Sequence, residues 1–240
     1  MMLLPGVYQV AGPSVSHAFD ATAYLFPCDE GLLLVDCATR EGHEQMLANI
    51  RRLGFDPARI VRVLGTHGHY DHIGGAKLLR DKFGTELYLH RLDREQVETG
   101  DSVRTTASLL YGVEAEPIPV DGCLEEGDSF AVDAGVLHVL HTPGHSPGSC
   151  CIVLEHTSGV SLLIAGDTLH GGASPRIGSD LNIWPESLKK LTSRHFDYFT
   201  FGHCNPQLLC DADRRIQCLA QSFANYLNPW FKDFYRSYPY

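Results

Sequence analysis

The sequence predicts a layered α/β fold in which helices cover β-sheets. Two β-rich stretches, one within residues 6–89 and one over 129–165, are each followed by helical segments. Strands and helices are mixed without strict alternation, which argues against a Rossmann fold, a pure bundle or a pure barrel. The 240 residues, 44% of them hydrophobic, suffice for one sizeable core. The chain is therefore read as one domain, 1–240, with a short helical and aromatic extension over 211–240.

The elements follow in order. Segments 6–10, 22–26 and 32–36 read as strands, with a Gly/Pro/Ser loop over 12–20 between the first two. Residues 42–53 place Met46, Leu47, Ile50 and Leu53 at helical spacing. A short β-rich run, 60–64, ends at Gly65-Thr66. Residues 73–83 read as a helix with Leu78, Leu79 and Phe83 on one face, and 86–89 as a strand. Residues 91–118 are polar and poorly patterned, with room for one or two short helices. Strands return at 129–132, 136–141, 149–154 and 161–165, followed by a Gly-rich loop over 171–178. Pro185 stands at a first helical turn, so 186–194 reads as a helix. A strand over 196–201 and a helix over 211–227, capped by Asp211, complete the chain.

Composition excludes several classes. The net charge is −10 and no Lys/Arg run stands out, so no nucleic-acid partner is expected. The opening Met1-Met2-Leu3-Leu4-Pro5 has no basic region, and no apolar run approaches the roughly 18 residues of a membrane helix. A cytoplasmic protein without membrane association is expected. The eight cysteines form no Cys-x-x-Cys pair and are expected to be reduced and mostly buried. Cys37 and Cys204 adjoin residues singled out below.

The chemistry concentrates in Thr66-His67-Gly68-His69-Tyr70-Asp71-His72. His67 and His69 are two residues apart just after a strand, so in extended backbone they face one side. Asp71 and His72 follow at the entry to a helix, where a turn can bring them to nearly the same point. Imidazole and carboxylate suit zinc, iron or manganese. A metal centre needs further ligands, and other strand ends offer them. His145 lies in Thr142-Pro143-Gly144-His145, Asp167 in Gly166-Asp167-Thr168, and His203 in Gly202-His203. Each is a polar residue just past a β-run and beside a glycine.

This set of motifs, in this order, resembles the metallo-β-lactamase-fold hydrolase superfamily, from about Asp36 in Val35-Asp36-Cys37 to His203. The resemblance implies a four-layer αββα sandwich with the metals at one edge. It implies that His67, His69 and His145 hold a first metal and that Asp71, His72 and His203 hold a second. Asp167 bridges them, and Asp36 supports the ligand loop without ligating. Two divalent ions, zinc by preference with iron or manganese as alternatives, then share a hydroxide that attacks a carbonyl carbon. In that scheme Asp71 orients the hydroxide or shuttles a proton.

The form Thr-His-x-His-x-Asp-His-x-Gly-Gly looks like the glyoxalase II and thioesterase branch, which implies a small thioester or ester as substrate. Only 37 residues follow His203, fewer than the helical region those enzymes use for glutathione. Lactonase and β-lactamase activities, and a persulfide dioxygenase holding one iron on His67, His69 or His145 and Asp167, are the alternatives. Substrate-binding residues are not assigned. Candidate specificity segments are 12–20, expected to be a mobile loop, 91–118 and 204–240. The last contains Tyr226, Trp230, Phe231, Phe234, Tyr235, Tyr238 and Tyr240, which could line a pocket or a homodimer interface.

One motif misleads. Gly144-His145-Ser146-Pro147-Gly148 matches a Gly-x-Ser-x-Gly nucleophile elbow, but residues 149–154 read as a strand where that motif demands a helix. Of the other histidines, His170 is within reach of the pocket. His138 and His141 are expected to be packed on a strand, and His17, His43, His90, His156 and His195 to be structural or exposed.

Overall fold

The computed structural model describes residues 1–203 and 208–224. Among the described residues, thirteen strands lie in two sheets. The first has seven, in chain order: β1 (Met2–Leu4), β2 (Val7–Ala11), β3 (Ala23–Cys28), β4 (Gly31–Val35), β5 (Ile60–Leu64), β6 (Glu86–His90) and β7 (Gly122–Leu124). The β1–β4 stretch is an antiparallel meander, whereas β4, β5, β6 and β7 pair in parallel through helical crossovers. The second sheet contains β8 (Ser129–Val132), β9 (Gly135–His141), β10 (Cys150–His156), β11 (Ser161–Ile164), β12 (Tyr198–Thr200) and β13 (Leu209–Cys210), in the order β13-β12-β11-β10-β9-β8.

Side-chain alternation builds the layers. In β3 and β4, Tyr24, Phe26, Leu33 and Val35 face the second sheet, where they meet Leu137, Val139, Ile152 and Ile164. Their neighbours Leu25 and Leu34 face the other way, onto Met46, Leu47 and Ile50 of α1 (His43–Arg52). Both faces are buried, which is why these strands read as continuous apolar runs. The outer face of the first sheet also takes Leu79 of α3 (Ala76–Phe83) and Val97 of α4 (Arg91–Glu98). Between β5 and α3 lies the single turn α2 (Tyr70–Ile73). On the outer face of the second sheet, Trp184, Leu188 and Leu191 of α5 (Trp184–Thr192) and Ile216 of α6 (Ala212–Ala224) cover Cys151, Val153 and Leu163. The result is the four-layer αββα sandwich.

Three short strands, β1, β7 and β13, were not legible because two or three residues carry no period. The segment 91–118 resolves into α4 and a π-helical turn over Ala107–Tyr111. The seven described cysteines are free, yet only Cys37, Cys150 and Cys151 are buried, correcting the expectation of mostly buried thiols. Cys204, residues 225–227 of the last expected helix and the aromatic residues 226–240 lie outside the described residues. No described helix is long and apolar enough to cross a membrane.

Candidate metal centre

The expected site residues all leave the same edge of the sandwich, past the ends of five strands. Residues 66–72 follow β5, His145 follows β9, Asp167 follows β11, and His203 follows β12. Asp36 follows β4, which runs parallel to β5, so its side chain stands beside the residues after Leu64. Asp36 adopts a left-handed backbone, φ 58°. Its carboxylate accepts the Thr66 N–H at 2.7 Å and the Thr66 hydroxyl at 2.9 Å. It also pairs with Nδ1 of His72 at 2.8 Å.

Three histidine nitrogens converge. Nδ1 of His69 lies 2.9 Å from Nε2 of His67 and 2.9 Å from Nε2 of His145. All three rings are buried. Burial, reinforced by the neighbouring rings, pushes His67 and His69 well below the ordinary imidazole range, and burial lowers His145 as well. Neutral rings present lone pairs, and a single proton cannot bridge both contacts of His69 at once. A cation can. On His145 the other nitrogen, Nδ1, meets the Gly172 carbonyl at 2.8 Å, which fixes Nε2 as the free acceptor.

A second cluster adjoins the first. Nε2 of His203 lies 3.1 Å from Oδ2 of Asp71 and 3.4 Å from Oδ2 of Asp167. Asp167 reaches both clusters: Oδ2 is 3.5 Å from Nε2 of His145, and Oδ1 is 3.3 Å from Nε2 of His72. Nε2 of His69, Nε2 of His72 and Oδ1 of Asp167 are buried without a hydrogen-bond partner. Orphaned atoms of this kind are costly unless something else occupies them. Among the described residues, three ligand groups meet the distance requirement for a metal: His67/His69/His145, His67/His72/Asp167 and Asp71/His72/His203. The donor set, imidazole with carboxylate and no thiolate, fits zinc, iron or manganese.

The electrostatics divide the two clusters. At Asp71 burial favours the neutral acid, but His72 and His203 outweigh it and hold the carboxyl down at about 2. Asp167 is likewise held well below the carboxylate range despite its burial, by His203 and His72. Conversely, burial disfavours charge on His203, yet Asp167 and Asp71 lift it to about 10. Asp36, Asp71 and Asp167 do the same for His72. A metal entering the second cluster must therefore displace protons.

The glycines beside the ligands are steric necessities. A Cβ on Gly202 would lie 2.2 Å from Oδ1 of Asp167 and 2.8 Å from Cε1 of His72. One on Gly171 would lie 2.6 Å from Nδ1 of His145.

Sequence reading missed Tyr111 and Asp93. Tyr111, in the π-helical turn, packs its ring 5.5 Å from Phe19 and 5.5 Å from Tyr70. Burial, together with the nearby Asp71 carboxylate, keeps its phenol protonated. Phe19 belongs to loop 12–20, whose Asp20 accepts the Thr39 N–H at 3.0 Å. Asp93, on α4, accepts the Ser146 hydroxyl at 2.6 Å, so the serine of the elbow-like motif is buried and engaged rather than free to attack. His170 is buried, with its ring 5.2 Å from Phe201, and senses the charges of Asp167 and His203.

Residues 18–203 match the family model described as the metallo-beta-lactamase superfamily. The chain belongs to that superfamily. Among relatives of this superfamily member is a "probable metallo-hydrolase", YqgX of Bacillus subtilis, 32% identical over 156 residues, covering 65% of this chain and 69% of that protein. Another "probable metallo-hydrolase", MJ0888 of Methanocaldococcus jannaschii, is 26% identical over 64% of this chain and 69% of its own length. A metallo-beta-lactamase from Cronobacter sakazakii superposes with a TM-score of 0.76 at 21% identity, over 95% of this chain and 96% of that one. BJP-1, a subclass B3 metallo-beta-lactamase of Bradyrhizobium japonicum, gives 0.75 at 21% identity over 95% and 92%. At that identity the likeness concerns the fold.

Proposed function

We propose that the protein is a metal-dependent hydrolase of a thioester or ester, with His67, His69 and His145 holding one divalent ion, Asp71, His72 and His203 a second, and Asp167 both. The observation that carries this reading is the convergence of neutral, buried His67, His69 and His145 nitrogens at 2.9 Å spacings beside a carboxylate that reaches both clusters. Bound divalent ions supply Lewis acidity and make a coordinated water acidic enough to react near neutral pH.

The chain's own residues do the rest. Asp71 is ionised throughout the physiological range and so accepts or orients a proton at its carboxylate. The Tyr111 phenol, kept protonated by burial and by the charge of Asp71, lies near that carboxylate. His203 is the most exposed of the seven, 29% at its side chain. Phe19, 51% exposed, sits edge-on to Tyr111 and offers apolar surface to an acyl group. The preference for thioesters rests on the Thr66–Gly75 sequence form and on this aromatic rim.

The test is a panel of thioesters, esters, lactones and β-lactams assayed with zinc-, manganese- and iron-loaded protein, with His69→Ala as control. Thioester or ester turnover that requires metal and is lost in the control is expected. One iron per chain with oxygen consumption, or no response of any class to metal, overturns the reading.

A further inference from the structure

Asp93 lies outside the set of metal-facing groups, yet all its hydrogen bonds go to the loops that carry them. It is fully buried on α4. Oδ2 accepts the N–H of Gly68 at 2.9 Å and the hydroxyl of Ser146 at 2.6 Å. Oδ1 accepts the N–H of Gly148 at 2.7 Å. Gly68 stands between His67 and His69, and Ser146 immediately follows His145. The first loop leaves the first sheet and the second loop leaves the second, so one carboxylate ties the two sheets together at the metal edge.

The approach is close enough to dictate glycine on both sides. A Cβ at Gly68 would lie 3.2 Å from the Asp93 Cβ and 2.6 Å from the Gln96 amide nitrogen. A Cβ at Gly148 would lie 2.7 Å from the Asp93 Cγ. Gln96, one turn further along α4, is within 3.4 Å of the Gly68 carbonyl through its amide nitrogen. Burying a carboxylate is expensive unless its oxygens are met by donors. Here every donor belongs to a histidine loop, so the helix offsets that cost only by holding those loops.

We infer that Asp93 is a positioning residue for the first metal, setting His69 and His145 at their 2.9 Å separation before any ion arrives. The inference rests on the reading that His67, His69 and His145 bind that metal. An outer carboxylate that orients ligands is worth about 10–100-fold in metal affinity. Asp93→Asn keeps the shape but turns one acceptor into a donor facing an N–H, while Ser146→Ala removes a hydroxyl that bonds Asp93 and Ser149, and no charge.

The experiment measures zinc affinity by chelator competition and the visible absorption of the cobalt(II)-loaded protein, for wild type, Asp93→Asn, Ser146→Ala and His69→Ala. Expected are a roughly 10–100-fold loss for Asp93→Asn with an altered cobalt spectrum, a smaller loss of the same kind for Ser146→Ala, and loss of the site in His69→Ala. A folded Asp93→Asn with wild-type circular dichroism, zinc affinity within twofold of wild type and a superimposable cobalt spectrum overturns the inference. If Asp93→Asn does not fold, an unchanged Ser146→Ala overturns it instead. Failure of the metal reading shows separately, as a wild-type protein that binds no zinc.

Discussion

At the scale of the residue, Asp36 shows how one side chain shapes the second cluster. Its carboxylate takes two donors from Thr66 and fixes Nδ1 of His72, leaving Nε2 of that ring toward Asp167. Truncation to alanine orphans buried partners at about 1–3 kcal/mol each. It also frees the His72 ring to rotate. We expect Asp36→Ala to bind one metal per chain where wild type binds two, measured by elemental analysis after chelator dialysis, and to unfold at lower urea. Two tightly held metals in that variant would refute the role. His145, Asp167 and His203 were legible as candidates because each stands just past a β-run beside a glycine, and His67, His69, Asp71 and His72 because they crowd into one short motif after a strand. Asp93 and Tyr111 were not, since an aspartate in an ordinary amphipathic helix and a tyrosine in a polar segment acquire meaning only through contacts 25 to 55 residues away, or across the site.

At the scale of the element, legibility followed periodicity. Both long α/β stretches were readable because their strands are apolar runs bounded by turn residues and their helices repeat apolar residues at three to four. Residues 99–112 are held differently: Asp101 accepts the N–H groups of Val103 and Arg104, Thr106 takes φ 68°, and a π-helical turn follows. Side-chain hydrogen bonds replace a repeat there, so no period exists to be read. The start of α4 carries a pH dependence. His90 caps this helix, accepting the Leu92 N–H at 3.4 Å, and stacks on His141 with centroids 3.8 Å apart. Burial first, then the facing His141, pushes His90 down to about 4. Above pH 6.5 the ring is neutral in both folded and unfolded chains and adds no pH dependence. Between 6.5 and 4 the unfolded chain takes up a proton that the folded chain refuses, so stability falls as pH drops through that window. His90→Asn retains a capping acceptor without a titrating ring. Urea denaturation from pH 7 to pH 4 should show a shallower decline for this variant, and parallel curves would remove His90 as a cause.

At the scale of the whole molecule, polar groups join the two sheets at the metal edge, while the apolar layer of Phe26, Leu33, Leu137 and Ile152 fills the space between them. His67, His69, Asp71 and His72 come from the first sheet's loops, and His145, Asp167 and His203 from the second's. An ion bound among them is a cross-link that only the folded chain can form. Such an ion stabilises the fold by about 2.7 kcal/mol at a free concentration 100 times its Kd. For a chain of this size each kcal/mol raises Tm by roughly 2–4 °C. Zinc should therefore raise Tm by about 5–10 °C per tightly filled site at that concentration, and a chelator should reverse the rise. The sheet of origin supplies the control. His145→Ala removes the second sheet's histidine from the three-histidine site but leaves the Asp71/His72/His203 cluster complete, so it should keep most of its metal-free Tm and lose the part of the zinc-induced shift that belongs to the three-histidine site. Equal zinc shifts in wild type and His145→Ala, read by differential scanning calorimetry, would mean that the stabilising ion does not use the three-histidine site.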